Sequence, residues 1–146
     1  RDVIWPNVRA GAEKAGRSLD DFEMIGTGFI ATGRTEEEVQ QAREDARYRI
    51  AFYASTRTYL PVLEHHGWQD INPQLRDLIA QNRWDDLPTV VPDEVLDGFC
   101  IAGTYDTIVD RVRERLGDLV TTVPLSMPDE PDDRFRDVVR RMQRVE

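Results

Sequence analysis

Residues 52–59, which read FYASTRTY, hold the densest cluster of aromatic and hydroxyl side chains in the chain. Aromatic rings bind flat, largely apolar ligands by stacking, and a few hydroxyls fix the ligand's edge by hydrogen bonding. The same residue types suit a corner between two helices that is packed by tyrosines and capped by serine and threonine. Two interpretations are therefore open, a ligand pocket and a packed corner, and helical periodicity favours the corner.

The adjacent His65 and His66 are the next candidates for chemistry. Neighbouring residues at a helix end point to opposite sides, which is poor geometry for joint ligation of a metal ion. A solvated role at the helix end, or a place in a substrate pocket for one of them, remains open. Cys100 is the single cysteine, so an intrachain disulfide and a paired thiolate metal site are excluded. We expect a small buried residue in a reducing cytoplasm, and no metal site.

The composition excludes several classes of partner. The 28 acidic residues outnumber the 19 basic ones and give a net charge of −9, which would repel a nucleic-acid backbone. A hydrophobic fraction of 40% is typical of globular domains. No apolar run approaches the roughly 20 residues that span a bilayer. We therefore expect neither a nucleic-acid partner nor a membrane partner.

Two segments have the composition of strands that are buried on both faces. Residues 23–32 read EMIGTGFIAT and residues 119–127 read LVTTVPLSM, and neither alternates polar with apolar positions. Pro124 indicates a bend or an edge in the second segment. Two strands this far apart cannot form a stable sheet by themselves. We expect them to be the last two strands of a parallel α/β fold whose earlier strands lie outside this chain.

The remaining segments are predicted to be helical. Thr35 and Glu38 fit a capping box at the start of a helix that runs to about residue 54. Thr104 is predicted to cap a helix over residues 106–116, and Asp2 to cap the first helix. Further helices are predicted over residues 58–65, from Asn72, over residues 92–99 and from residue 131 to about 145, whereas residues 84–91 fit no single pattern.

Four segments carry a family resemblance: IATGRTEEEV at 30–39, FYASTRTYLPVLEHHGW at 52–68, IAGTYDTIVDRV at 101–112 and LVTTVPLSMP at 119–128. The sequence resembles the C-terminal part of the bacterial luciferase-like monooxygenase family, in particular its actinobacterial branch that uses the deazaflavin coenzyme F420. The likeness covers essentially the whole chain. Because the chain begins with Arg1 in a helical pattern, we expect it to be a piece of a longer protein.

The resemblance implies a fold as well as a function. Members of the family are (β/α)8 TIM barrels, and a full barrel needs about 250 residues and eight strands. The expected fold class is therefore α/β, a C-terminal fragment of a TIM barrel, helix-rich with two core strands and without the N-terminal barrel strands. Residues 23–32 would be the seventh strand, residues 119–127 the eighth, and residues 34–103 an enlarged helical connection.

The resemblance also places the candidate site, because barrel active sites lie at the C-terminal ends of the strands. The residues expected to bind the cofactor are Thr32, Gly33, Ser126 and Met127. The residues expected to bind the substrate are Tyr53, Ser55, Thr56 and Tyr59. His66 is the candidate catalytic acid or base.

The implied activity belongs to the whole protein. It would be a flavin- or deazaflavin-dependent oxidoreductase or monooxygenase that moves a hydride to or from a small organic substrate, with coenzyme F420 as cofactor and FMN as the alternative. This chain alone is expected to be inactive. It is also expected to form a homo-oligomer or to pair with the remainder of its own chain, because its strands would otherwise be exposed. The competing interpretation is a non-enzymatic helical domain for binding or dimerisation.

Overall fold

The computed structural model describes residues 2–26 and 28–143. Seven α-helices, α1 to α7, form in these residues and span Ile4–Ala15, Glu36–Ala54, Leu60–His66, Ile71–Ala80, Asp93–Phe99, Ile108–Leu116 and Asp133–Gln143. Two strands, β1 and β2, span Phe29–Gly33 and Cys100–Thr104, and 3-10 helices cover Arg57–Tyr59 and Trp84–Val90. The predicted class, a helix-rich α/β fold with two core strands, is confirmed.

The two strands pair in parallel. Their register aligns Phe29 with Cys100 and Thr32 with Gly103. Parallel neighbours require a long crossover connection, and here the crossover runs through α2, α3, α4 and α5. The carboxyl ends of both strands therefore lie at the same edge of the sheet.

The second strand is not the one predicted. In residues 119–127 the pairing found is a single parallel bridge between Thr122 and Ile25, and Pro124 lacks the N–H that would continue a ladder. The strand beside β1 is Cys100–Thr104, which the sequence pattern had assigned to the helical connection over residues 34–103. This strand follows α5 directly. The sequence pattern ends the helix at residue 99, next to Gly98, but it does not distinguish the five residues that follow from the rest of the connection.

The first strand is shorter than the predicted residues 23–32. Gly28, just before β1, has a φ of 118°, a conformation that glycine adopts readily and other residues rarely do. A Cβ at Gly28 would lie 3.0 Å from the carbonyl oxygen of Phe99. Upstream, the N–H of Gly26 donates to the carbonyl oxygen of Thr122 at 2.7 Å. The chain changes direction at Gly28, and the strand begins only after it.

The sheet separates two apolar clusters. The face that carries Ala31 and Cys100 packs against buried residues of the crossover, among them Ile50, Leu63, Leu75, Leu87, Val95 and Leu96. The opposite face, with Ile30 and Ile101, packs against residues of α6 and α7 and the segments beside them, including Tyr105, Ile108, Val109, Val112, Phe135 and Val138. Because both faces of the sheet are covered, the strands carry apolar side chains on both faces.

The predicted start of α2 is confirmed, with one change. Thr35 Oγ1 accepts a hydrogen bond from the Glu38 N–H at 3.3 Å, as a capping box requires. The Glu38 carboxylate, however, accepts from the N–H of Arg34 at 2.6 Å rather than from Thr35. The reciprocal half of the box therefore stabilises the residue between β1 and α2, which fixes how the helix leaves the strand.

Two other predicted caps are wrong. The residue before α1 is Val3 and the residue before α6 is Thr107, so neither Asp2 nor Thr104 holds the capping position. Thr104 ends β2 instead, and its carbonyl oxygen accepts from the Thr107 N–H at 2.9 Å. The helices predicted over residues 58–65 and 92–99 and from Asn72 are present with shifted ends, as α3, α5 and α4. The predicted end of α7 near residue 145 lies outside the described residues. In residues 2–26 and 28–143, no helix is long and apolar enough to cross a membrane.

Candidate functional site

Three of the four predicted cofactor-binding residues line one cavity. Thr32, Ser126 and Met127 border a space of about 520 Å³, which we call the β1 cavity. Thr32 is the penultimate residue of β1, so the cavity reaches the carboxyl end of that strand, where parallel α/β folds bind their ligands. Apolar side chains, including Phe29, Ile30, Leu125 and Phe135, form much of the remaining wall.

Thr32 has the most unusual polar atom in the β1 cavity. Its Oγ1 is buried and has no hydrogen-bond partner among the described residues. A buried hydroxyl without a partner costs about 1–3 kcal/mol of stability, and folded proteins keep few of them without a reason. The Thr32 hydroxyl therefore has no competing partner, and it can bond to a group in the cavity once its side chain turns toward that group.

Ser126 and Met127 border the same cavity from an exposed loop. Met127 is 75% exposed, although it borders a cavity. A methionine side chain is flexible and polarizable, so it can pack against many ligand shapes. These two residues supply one hydroxyl and one apolar contact to the cavity.

Gly33 does not border the β1 cavity. A Cβ at this position would lie 2.5 Å from the Cβ of Glu38, so only glycine lets the first turn of α2 approach β1 so closely. The carbonyl oxygen of Gly33 accepts from the Tyr105 N–H at 2.9 Å. The structure gives Gly33 a packing role, and its predicted role in cofactor binding stays a prediction.

Tyr105 borders the β1 cavity and is not marked by the sequence pattern. It is the first residue after β2, it is 6% exposed, and its ring centroid lies 5.9 Å from that of Phe135. Burial, reinforced by the negative charge of Asp132, raises the pKa of the Tyr105 hydroxyl, so the phenol is neutral at pH 7. Assigning β2 from the sequence would have identified Tyr105, because residues that follow parallel strands form the ligand-binding edge.

Tyr53 and Tyr59 border a second cavity, of about 340 Å³, which we call the tyrosine cavity. Their ring centroids are 5.3 Å apart, and that of Tyr53 is 6.5 Å from the ring of Phe29. Phe99, which immediately precedes β2, also borders it. This cavity therefore lies at the amino ends of the strands, because α2 runs back along β1 and returns Tyr53 to the start of that strand.

Ser55 and Thr56 use their hydroxyls within the end of α2. Ser55 Oγ donates to the Phe52 carbonyl oxygen at 2.6 Å, and Thr56 Oγ1 donates to the Tyr53 carbonyl oxygen at 2.9 Å. Buried Asn72 also donates to the carbonyl oxygens at this helix end. The packed-corner interpretation therefore describes Ser55 and Thr56, whereas the pocket interpretation fits the two tyrosines. A substrate-binding role for the four residues stays a prediction.

His66 packs at the end of α3. Its ring stacks on Trp68 with centroids 4.6 Å apart and meets the ring of Phe99 edge-on at 5.9 Å. The rings of His65 and His66 are 5.2 Å apart, so the two side chains do not diverge as predicted. Since Phe99 borders the tyrosine cavity, His66 lies behind its wall. Its catalytic role stays a prediction.

The two cavities are neighbours. Gly28, Phe29, Ile30 and Pro124 border both of them. The cofactor candidates and the substrate candidates are therefore not in one space, but in two spaces with a common wall. Molecules bound in the two cavities would face each other across β1 and the Pro124 loop.

Cys100 is a core residue, as predicted. It is buried in the cluster that covers one face of the sheet, and burial raises the pKa of its thiol. A thiol with a raised pKa is a poor nucleophile. Within residues 2–26 and 28–143, no group of three or more His, Cys, Asp or Glu side chains is arranged to hold a metal ion.

The fold is similar to part of a known enzyme. The structure superposes on the coenzyme F420 dependent tetrahydromethanopterin reductase from Methanopyrus kandleri with a TM-score of 0.67 and 26% identity, covering 95% of this chain and 39% of that chain. A 5,10-methylenetetrahydromethanopterin reductase of Archaeoglobus fulgidus is 30% identical over 138 residues, 91% of this chain and 40% of the relative. The fold is thus that of a partial TIM barrel.

A third relative comes from an actinobacterium. An uncharacterized protein of Mycobacterium tuberculosis strain H37Rv is 35% identical over 122 residues, 84% of this chain and 36% of the relative. The chain spans about two fifths of the length of these relatives. The family model for luciferase-like monooxygenases matches residues 3–122, which include both strands and the whole crossover, while Ser126 and Met127 follow the matched range. This chain belongs to the luciferase-like monooxygenase family.

Proposed function

We propose that this chain is the C-terminal portion of an oxidoreductase that uses the deazaflavin coenzyme F420, and that the β1 cavity holds part of the coenzyme. Membership of the luciferase-like family supports an oxidoreductase. The preference for coenzyme F420 over FMN rests on the F420-dependent reductase of Methanopyrus kandleri, because almost the whole chain superposes on it.

The observation that carries the proposal is the buried, unpaired hydroxyl of Thr32 beside the β1 cavity, whose wall is part apolar and part polar and includes Asp45 and Arg49. A deazaflavin ring is planar and largely apolar, with oxygen atoms along one edge. Phe29, Ile30 and Leu125 can contact the faces of such a ring. The hydroxyls of Thr32 and Ser126 can bond to its edge, so the residues present fit the coenzyme.

The chain's own residues bind and orient, while the coenzyme supplies hydride chemistry when it is bound. In the proposal, Phe29 and Ile30 keep water out of the boundary between the two cavities. Thr32 fixes the rotation of the ring within its own plane. Because hydride transfer needs the two reacting atoms in contact, the proposal requires the ring and the substrate to meet where the two cavities adjoin, beside the residues that border both.

The tyrosine cavity is the proposed substrate site. Its volume of about 340 Å³ suits a small organic molecule. Tyr53 and Tyr59 would contact the substrate directly, and Ser55 and Thr56 would hold the end of α2 that carries Tyr53. His66 stays the proposed proton donor or acceptor, a role that requires its ring to leave the stack on Trp68 and pass Phe99, since a proton transfers only over hydrogen-bond distance.

The proposal extends to the setting of the protein. Hydride transfer without oxygen is favoured over monooxygenation, because the relatives of known activity are reductases.

A lone buried thiol suits the reducing cytoplasm. We propose that the rest of the protein, or a second copy of it, covers the exposed sides of the strands, because the chain spans about two fifths of the length of its relatives.

Fluorescence titration with coenzyme F420 and with FMN tests the proposal. The full-length parent protein and this chain are titrated side by side. We expect the parent to bind coenzyme F420 more tightly than FMN, and the isolated chain to bind more weakly and to catalyse no turnover. Preference for FMN would assign the other cofactor, and binding of neither by the parent would favour the non-enzymatic helical domain.

A further inference from the structure

Asn72 joins two helices of the crossover through its side chain. It belongs to the first turn of α4 and is 4% exposed. Its Nδ2 donates to the carbonyl oxygen of Ala54 at 2.6 Å and to that of Thr56 at 3.3 Å. Ala54 is the last residue of α2. The sequence pattern predicts that a helix begins at Asn72, whereas its side chain binds the end of another helix.

The last turn of a helix leaves carbonyl oxygens without a partner inside the helix. At the end of α2, the carbonyl oxygens of Phe52 and Tyr53 accept from the hydroxyls of Ser55 and Thr56. Those bonds are local, because donor and acceptor are three residues apart. The bonds from Asn72 span 18 and 16 residues, so they hold the end of α2 against α4.

The segment held in this way carries the two tyrosines of the tyrosine cavity. Tyr53 lies one residue before Ala54, and Tyr59 ends the 3-10 helix that follows α2. Their ring centroids are 5.3 Å apart, and nearly half of each residue is exposed. Since side-chain packing covers these rings only in part, the backbone that carries them determines where they lie.

The buried amide of Asn72 has no apolar substitute. Its bond to Ala54 is buried, so an apolar side chain in its place would leave that carbonyl oxygen without a donor and away from water. The helix end can regain a partner only by moving toward solvent. Such a movement would carry Tyr53 and Tyr59 with it.

We infer that Asn72 is a positioning residue of the tyrosine cavity, whose side-chain amide fixes the end of α2 and, through it, the rings of Tyr53 and Tyr59. The inference rests on the proposed function, in which these rings contact the substrate. Asn72 itself does not border the cavity. It acts on the substrate site through the helix end, without touching the substrate.

The test follows the tyrosine rings directly by 19F NMR. The full-length protein is labelled with 3-fluorotyrosine, and resonances are assigned by replacing Tyr48, Tyr53, Tyr59 and Tyr105 with phenylalanine in turn. In Asn72→Leu, which keeps a similar volume but has no N–H donor, the Tyr53 and Tyr59 resonances should shift by more than their linewidth. Those of Tyr48 and Tyr105 should stay, because one lies earlier in α2 and the other in the cluster beside α6 and α7.

Two control variants separate positioning from a general loss of stability. Thr35→Ala weakens the opposite end of α2. Gln74→Leu replaces an exposed amide of α4 whose Nε2 donates to the carbonyl oxygen of Asp70, at the start of the same helix. Both controls should leave the Tyr53 and Tyr59 resonances where the parent protein has them.

The inference is overturned if the Tyr53 and Tyr59 resonances of folded Asn72→Leu coincide with those of the parent, or if all four tyrosines shift together. If Asn72→Leu does not fold, Asn72→Ser replaces it, because serine is too short to reach both carbonyl oxygens, and unchanged resonances would again overturn the inference. The spectra are recorded without ligand, so they decide the role of Asn72 whether or not the parent binds coenzyme F420. The coenzyme titration decides the proposed function separately.

Discussion

Replacing Thr32 by valine should stabilise the ligand-free protein. Valine has nearly the volume of threonine and the same branching at Cβ, so it fits β1 equally well. It replaces the buried, unpaired Oγ1 by a methyl group that needs no partner. A substitution that stabilises the fold at the cost of ligand binding is typical of a residue kept for function.

The size of the effect follows from the surroundings of Oγ1. An unpaired buried hydroxyl costs about 1–3 kcal/mol, and burial of the new methyl group contributes up to about 0.8 kcal/mol. Since Thr32 as a whole residue is only partly buried, we expect the lower end, a gain of about 1 kcal/mol in the free energy of unfolding. For a chain of this size, that gain raises Tm by about 3 °C.

Urea and thermal unfolding, followed by circular dichroism without ligand, measure this effect. Thr104→Val is the matched control, because Thr104 also lies at the carboxyl end of a strand but has its Oγ1 3.5 Å from the hydroxyl of Thr107. We expect little change or a small loss for the control. If Thr32→Val shows no gain, or loses 1 kcal/mol or more, the hydroxyl has a partner in the fold and the reasoning from its isolation is refuted.

Three further predictions concern other parts of the chain. Thr35→Ala should lower the free energy of unfolding by about 1 kcal/mol, because the Glu38 N–H loses its acceptor, and an unchanged melt would contradict the cap. Tyr53→Ala in the full-length protein should weaken substrate binding with little loss of stability, because Tyr53 is 44% exposed; a large drop in Tm with unchanged binding would make it a corner residue. Arg47 holds the pKa of Asp93 below its ordinary value, so the stability from this pair should be present above about pH 4 and lost as the pH falls further; an Asp93→Asn variant should lack this loss between pH 5 and 2 in acid titrations.

Helices with strong local signals could be predicted from the sequence. The helix after Thr35 begins and ends where the capping box and the apolar stripe placed it, since Val39, Ala46 and Ile50 are all buried. The stripe of α6 is equally clear, with Ile108, Val109 and Val112 buried. These helices are determined by local capping hydrogen bonds and by one buried face. The cap is visible as a short residue motif, and the buried face is visible as a periodic apolar stripe.

The pairing of the strands could not be predicted in the same way. The segment 119–127 is as apolar as a buried strand, yet it contributes one bridge, whereas the five residues of β2 form the ladder. Which apolar segment pairs with β1 depends on how the crossover packs, and that information is not local. The misplaced strand also hid Tyr105, because its position matters only once β2 is known to end at Thr104.

The candidate site was predicted in part. Family resemblance named Thr32, Ser126 and Met127, and the structure brings these three to one cavity. Tyr53 and Tyr59 also meet, but in the neighbouring cavity, because α2 is long enough to return to the amino end of β1. The sequence carries no direct signal for that return, since it depends on the direction of the helix rather than on its residues.

A crystal structure of the full-length protein with coenzyme F420 is the most direct test of the account. We expect density for the deazaflavin ring in the β1 cavity, with a ring carbonyl oxygen within hydrogen-bonding distance, about 2.7–3.0 Å, of Thr32 Oγ1. A ring bound elsewhere in the protein, with Thr32 Oγ1 still unpaired, would contradict the account.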